Sequence, residues 1–274
     1  MRRQGTAFTI FLASAVAIIA LDSVAGAEPR YPDWSGQWER IGNGSFDPNK
    51  RPGRAQQPPL TAEYRAIWEA NMAEEQSGGQ YYNTQAHCLP GGMPRMMTAY
   101  QPMETIITPE VTYVHVAFFH EFRRIYTDGR DWPAAITPTF SGYSIGRWLG
   151  EGGAWRTLEV ETRALKGPRI LDPQGIPVHK DNQTIIRERF FLDAGDPNKL
   201  HDVITLFDHA LTQPWTVDKT YRRIADPTWI EDTCGESNHY VFVGHETYYL
   251  GGDGNLMPTR KDQPPPPMRG FDSK

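Results

Sequence analysis

Cysteine is scarce in this chain of 274 residues: there are two, Cys88 and Cys234. Neither sits in a C-x-x-C pair or a histidine-spaced pattern, which excludes the common zinc and dithiol redox motifs. No apolar run after Ala27 is long enough to cross a bilayer. A basic stripe is also missing. The 28 Lys and Arg are scattered among 33 Asp and Glu, and a net charge of -5 leaves no face for phosphates, which argues against nucleic acid as a partner. No glycine-rich loop follows a strand and opens a helix, so no nucleotide or dinucleotide cofactor is expected and any chemistry is read as cofactor-free. The β-α-β alternation of parallel α/β folds is absent too.

What is present begins at the N-terminus. Arg2 and Arg3 precede an apolar run from Ala7 to Leu21, followed by Ala25-Gly26-Ala27 and the charged Glu28. A basic region, a short apolar core and an A-x-A site predict a signal peptide over 1–27 and a periplasmic or secreted protein. In that oxidising setting Cys88 and Cys234 are expected to pair. The bridge would close a loop of nearly the whole domain, worth ~4 to 5 kcal/mol by loop-closure entropy. A single domain is predicted over 28–257. Residues 258–274, with Pro264 to Pro267 in a row, read as an extended or disordered tail. The oligomeric state is left open.

Within the domain, Tyr31 to Arg40 reads as the opening strand, and Asn43 to Pro59, rich in Gly, Pro and Asn, as a surface loop. Thr61 is the expected N-cap of one helix that closes at Ser77-Gly78-Gly79, with Tyr64, Ile67, Trp68 and Met72 along one apolar face. Short β runs then follow: Thr105–Ile107, Thr112–Tyr126, Trp155–Thr162, Thr184–Leu192, Leu200–Asp208, Trp215–Arg222, Trp229–Asp232 and Tyr240–Val243. Strands at such spacing, divided by turns such as Asp128-Gly129 and Asp196-Pro197-Asn198, predict a mainly β fold: an antiparallel barrel, or alternatively a β-sandwich.

Gly36-Gln37-Trp38 resembles the Gly-x-Trp opening of lipocalins and other calycins, in which the tryptophan plugs one end of a barrel. A longer set comprises Cys88-Leu89-Pro90-Gly91-Gly92-Met93-Pro94, His120 to Arg130, Gly142 to Trp148, Glu188-Arg189-Phe190 and Pro214 to Val217. It resembles a group of exported bacterial proteins of unassigned biochemistry, over most of the chain from Pro59 to Glu236. The resemblance implies one calycin-like β domain and no particular activity. After Trp148 those proteins carry a Gly-Asp-Thr-Leu run where this chain has Glu151 to Leu158, so no role attached to that Asp transfers.

Gly142-Tyr143-Ser144-Ile145-Gly146 matches G-x-S-x-G, but no helix follows it, so Ser144 is not read as a nucleophile. His120-Glu121 lacks a second histidine at position 124, and no two histidines are spaced i, i+2, so no metal site is expected. Read as one strand, Thr112–Tyr126 puts Tyr113, His115, Ala117, Phe119, Glu121 and Arg123 on one face, with His120 and Tyr126 on the other. His115, His120, Glu121 and Arg123 are the candidate acid-base and anchoring residues. Tyr113, Phe119, Tyr126, Tyr143, His179 and Glu188 are the candidate substrate contacts. Structural roles, as ion pairs and core histidines, compete with each assignment. The functional expectation is a barrel with an aromatic-lined cavity for a small apolar or aromatic molecule. In its catalytic form it is a cofactor-independent lyase, hydratase or isomerase; the alternatives are a carrier of an apolar ligand or a structural envelope protein.

Overall fold

The computed structural model describes residues 30–266 except 80, 82, 152, 153, 179, 180, 229, 235–238, 244, 245 and 252. The expected signal peptide therefore lies outside the described residues.

The chain forms β1 (Gln37–Arg40), β2 (Met103–Ile107), β3 (Val111–Val116), β4 (Glu121–Tyr126), β5 (Tyr143–Glu151) and β6 (Ala154–Arg163). After the short β7 (Arg169–Ile170) and β8 (Pro177–Val178) come β9 (Ile185–Leu192), β10 (Lys199–Phe207) and β11 (Trp215–Arg223). All but β7 and β8 close into a barrel in the order β1-β11-β10-β9-β6-β5-β4-β3-β2. Period-two alternation builds its wall. In β6, Leu158, Val160 and Thr162 face inward while Glu159 and Glu161 face outward, where they pair with Arg147 and Arg187 of the neighbouring strands. The barrel is mainly β as expected, with one exception to antiparallel pairing. β4 and β5 run parallel and meet only at Ile125 with Ser144 and Tyr126 with Ile145.

The expected single strand Thr112–Tyr126 is two strands folded onto each other. Phe119 (φ 55°) and His120 (φ 50°) take left-handed backbone, and the hairpin pairs Val116 with Glu121 and His115 with Phe122. Alternation read straight through this turn gave the wrong faces. His115 and Tyr113 point outward, whereas Glu121 and Arg123 are buried on the inner side of the wall.

Both barrel ends are stoppered. At one end Trp34 packs on Trp148 (5.0 Å between centroids) and Phe190 (6.0 Å). Trp38, fully buried, donates from Nε1 to the Trp34 carbonyl (3.0 Å) and carries the Arg223 guanidinium 4.4 Å from its ring. At the other end Phe46 packs on Trp215 (4.7 Å). The loop from Asn43 to Pro59 runs over the surface as expected but sends Phe46 into the core. The buried Gln56 side chain ties it together through the carbonyls of Asp47, Lys50 and Arg51. Between the stoppers, the two gaps lined by Trp38, Met97, Val116 and Tyr221 and by Trp34, Val114, Leu158 and Phe190 have no room for a water molecule (0 Å³).

Helix α1 (Ala62–Gln76) starts where expected, with Thr61 Oγ1 accepting from the Tyr64 amide (3.4 Å). Its buried stripe is Trp68 and Met72. Ile67 is 41% exposed, because the helix lies on the small β7–β8 hairpin rather than across the broad wall. No strand covers the described residues 230–232, so the expected strand Trp229–Asp232 is not formed there, and Trp229 lies outside the described residues. A further sheet of β12 (Tyr240–Val243), β13 (Glu246–Leu250) and β14 (Leu256–Pro258) continues past the expected domain limit at 257. The segment read as a free tail is held as far as Pro264: Gln263 donates to the Thr247 carbonyl (2.7 Å), Lys261 to Ser77 (3.2 Å) and Tyr248 to Pro264 (3.1 Å).

Cys88 and Cys234 form a disulfide across a sequence separation of 146 residues. A loop that long restrains the unfolded chain by ~4 to 5 kcal/mol. The double variant Cys88→Ala/Cys234→Ala is expected to lose about that much in urea unfolding; a loss below 1 kcal/mol would remove the bridge from the account of stability.

Candidate functional site

The residues singled out by sequence divide between the barrel's interior and its outer surface. Inside, Arg123 of β4 spans the lumen to Glu188 of β9. Its Nη1 donates to Oε1 (2.8 Å) and its Nη2 to Oε2 and to Thr162 Oγ1 (2.8 Å). Nε donates to Ser144 Oγ (3.2 Å), which is also hydrogen-bonded to Thr162 Oγ1 (2.8 Å). All four side chains are buried, so Arg123 and Glu188 bind each other and are not positioned to meet a substrate from solvent. Ser144 is likewise committed.

Beside this pair, Asp202 of β10 stands opposite Lys219 of β11. The Lys219 ammonium donates to the Phe46 carbonyl (2.5 Å), and burial brings its pKa down to about 8. Among the described residues neither Asp202 oxygen has a hydrogen-bond partner, and burial next to Glu188 raises its pKa well above the usual carboxylate range. A buried charge stripped of its partner costs far more than a pair replaced as a unit. Arg123→Met alone is therefore expected to destabilise by ~3 to 5 kcal/mol, and Arg123→Met/Glu188→Leu to recover most of it in chemical unfolding. Equal losses in the single and double variants would show that the pair is not coupled.

At the same end as Phe46, Asp172 is fully buried. It accepts from the amides of Phe46 (2.6 Å) and Gln174 (2.9 Å), yet burial outweighs those bonds and lifts its pKa to about 6. A folded pKa above the unfolded value of 3.8 means proton uptake on folding. The contribution is full below pH 4 and fades as the pH rises through about 6. In Asp172→Asn, the part of the stability gain seen between about pH 6 and 4 that this carboxyl supplies should vanish; unchanged pH slopes would refute the buried titration.

On the outer surface, the short parallel contact lets β4 and the approach to β5 splay apart, and a pocket of about 380 Å³ lies in this seam. Five predicted residues line it: Phe119, His120, Glu121, Tyr126 and Tyr143. Phe122, Arg124, Phe140 and Pro90 complete most of the rest. Sequence reasoning passed over Arg124 and Phe140. Arg124 was masked by its neighbour Arg123, and its outward position emerges only once the hairpin is known. Phe140 lies in a stretch without periodicity.

The seam is bridged by Pro90 to Met93. The Glu121 carboxylate accepts from the Gly91 and Gly92 amides (2.7 Å each), and the Met93 amide donates to the Phe140 carbonyl (3.0 Å). Gly92 has φ +63°, and a Cβ there would lie 2.3 Å from that carbonyl, so the tight crossing requires glycine. Burial raises the Glu121 pKa against the pull of these amides and of Arg95. Glu121 is thus engaged as a clasp. The sequence expected it to act as an acid-base partner of His115, but His115 lies on the other side of the wall.

His115 stands opposite Glu104 and Phe122, and its ring lies nearly parallel to that of His120 (6.1 Å between centroids, 7°). Burial and the neighbouring His120 lower its pKa, with Glu104 opposing. Tyr113 packs on Phe122 (5.4 Å), outside the pocket. His179 lies outside the described residues. Among the described residues no group of three His, Cys, Asp or Glu is placed to hold a metal ion, and no helix is long and apolar enough to cross a membrane. The sequence matches no protein-family profile and no curated protein.

Proposed function

We propose that this protein binds a small apolar or aromatic molecule in the seam pocket between β4 and β5, outside the barrel rather than in its lumen. The observation that carries the reading is the convergence of Phe119, Phe140, Tyr126 and Tyr143 with His120 and Arg124 around about 380 Å³. Aromatic walls with a few polar groups are the usual composition of a small-molecule site. The side-chain-filled lumen argues for the wall over the interior. Exported location is supported by the N-terminal basic-apolar segment and is compatible with the disulfide; the calycin-like assignment rests on the Gly36-Gln37-Trp38 resemblance together with the barrel.

Binding is favoured over catalysis because Glu121, the carboxylate in the pocket, is held by two amides. A catalytic reading keeps one support: an exposed imidazole, that of His120, stands at the pocket wall with His115 stacked beside it.

A thermal-shift screen of aromatic, terpenoid and fatty compounds tests the proposal. A ligand at ~100 times its Kd should stabilise the protein by ~2.7 kcal/mol, and Phe140→Ala should weaken the response at least several-fold. A panel without a hit, or a hit indifferent to Phe140→Ala and Arg124→Ala, would overturn it. For any compound that is also turned over, loss of turnover with retained binding in His120→Gln would make this a catalyst.

A further inference from the structure

A second pocket, of about 350 Å³, lies on the other side of Phe119, next to Cys234 of the disulfide. Its base includes Arg95, which is only 5% exposed. Its Nη1 donates to Asn83 Oδ1 (3.0 Å), and among the described residues the carboxylates that act on the guanidinium do so through space rather than by a hydrogen bond. Asp172 and Glu121 act on Arg95 from farther off, and Tyr81 also faces it. Aromatic side chains line the same pocket. Tyr100 packs on Phe118 (5.0 Å), Phe118 stacks on Phe119 (4.4 Å, 12°), and Tyr240 contributes from the second sheet.

A buried guanidinium is costly unless a matching anion meets it, and its planar fork fits a carboxylate through two parallel hydrogen bonds. Aromatic side chains around it select a flat apolar body for that anion. We propose that this pocket binds a small aromatic carboxylate, with the carboxylate on Arg95 and the ring among Tyr100, Phe118 and Tyr240. Asn83 orients the guanidinium and is a positioning residue. The site does not depend on the seam pocket, with which it shares Phe119.

The test is calorimetric titration of the full chain with 2-naphthoate, and with 2-naphthamide as the uncharged counterpart of the same shape. Naphthoate should bind at least tenfold more tightly than naphthamide, and Arg95→Gln should abolish that preference. Because Arg95 is buried and its loss can unfold the protein, the deciding variant is Tyr100→Ala. Tyr100 is 64% exposed, so its truncation should weaken naphthoate several-fold while leaving the fold intact. Phe140→Ala, in the seam pocket, tells occupancy of that pocket apart from occupancy of this one. No binding of naphthoate at millimolar concentration overturns the proposal, as do equal affinities for acid and amide. Loss of binding in Phe140→Ala with retention in Tyr100→Ala would move the ligand to the seam, and competition by inorganic phosphate alone at similar affinity would reduce the site to a general anion hole.

Discussion

The ion pair of Arg123 and Glu188 sets the terms for the rest of the molecule, because it places two opposite charges where water cannot reach them. Each must find its full set of partners from the wall itself, which is why Ser144 and Thr162 stand on the strands between β4 and β9. A lumen organised in this way offers no apolar volume to a guest. Trp38 and Trp148 at one end and Trp215 with Phe46 at the other keep water from the pair, so ends and centre stabilise each other. The proposed binding site is thereby displaced to the outside of the wall, where the splayed contact of β4 with β5 leaves a concavity.

The barrel was legible because its strands alternate cleanly. Leu158, Val160 and Thr162 against Glu159 and Glu161 is a pattern that only a half-buried strand explains. The helix was equally plain, from Thr61 to Ser77, since its cap and its glycine stop are local signals. The hairpin at Phe118 to His120 was not legible. Phe119 is not of a residue type that ordinarily marks left-handed backbone, and no Gly, Asn or Pro interrupts the run. Missing that one turn put His115 on the same face as Glu121 and Arg123.

The candidate site was therefore legible in membership more than in arrangement. His120, Tyr126 and Tyr143 meet because β5 returns parallel to β4, a long-range pairing that leaves no local trace in the residues. Glu121 looked like chemistry because a carboxylate beside a histidine usually invites it. Its partners, the Gly91 and Gly92 amides, are backbone groups and leave no side-chain signature. Phe46 and Gln56 were hidden for a related reason: a segment rich in Gly, Pro and Asn reads as solvent-facing even where one side chain anchors it.

The clasp at Glu121 has one further property. Cys88 lies three positions before Gly91, and its covalent bond to Cys234 fixes the start of that segment against the body of the protein. Chain closure over so few residues confines the glycine amides to a small volume around the carboxylate. The two hydrogen bonds then form at little entropic cost, and the seam holds its shape although only two residue pairs join the strands on either side of it.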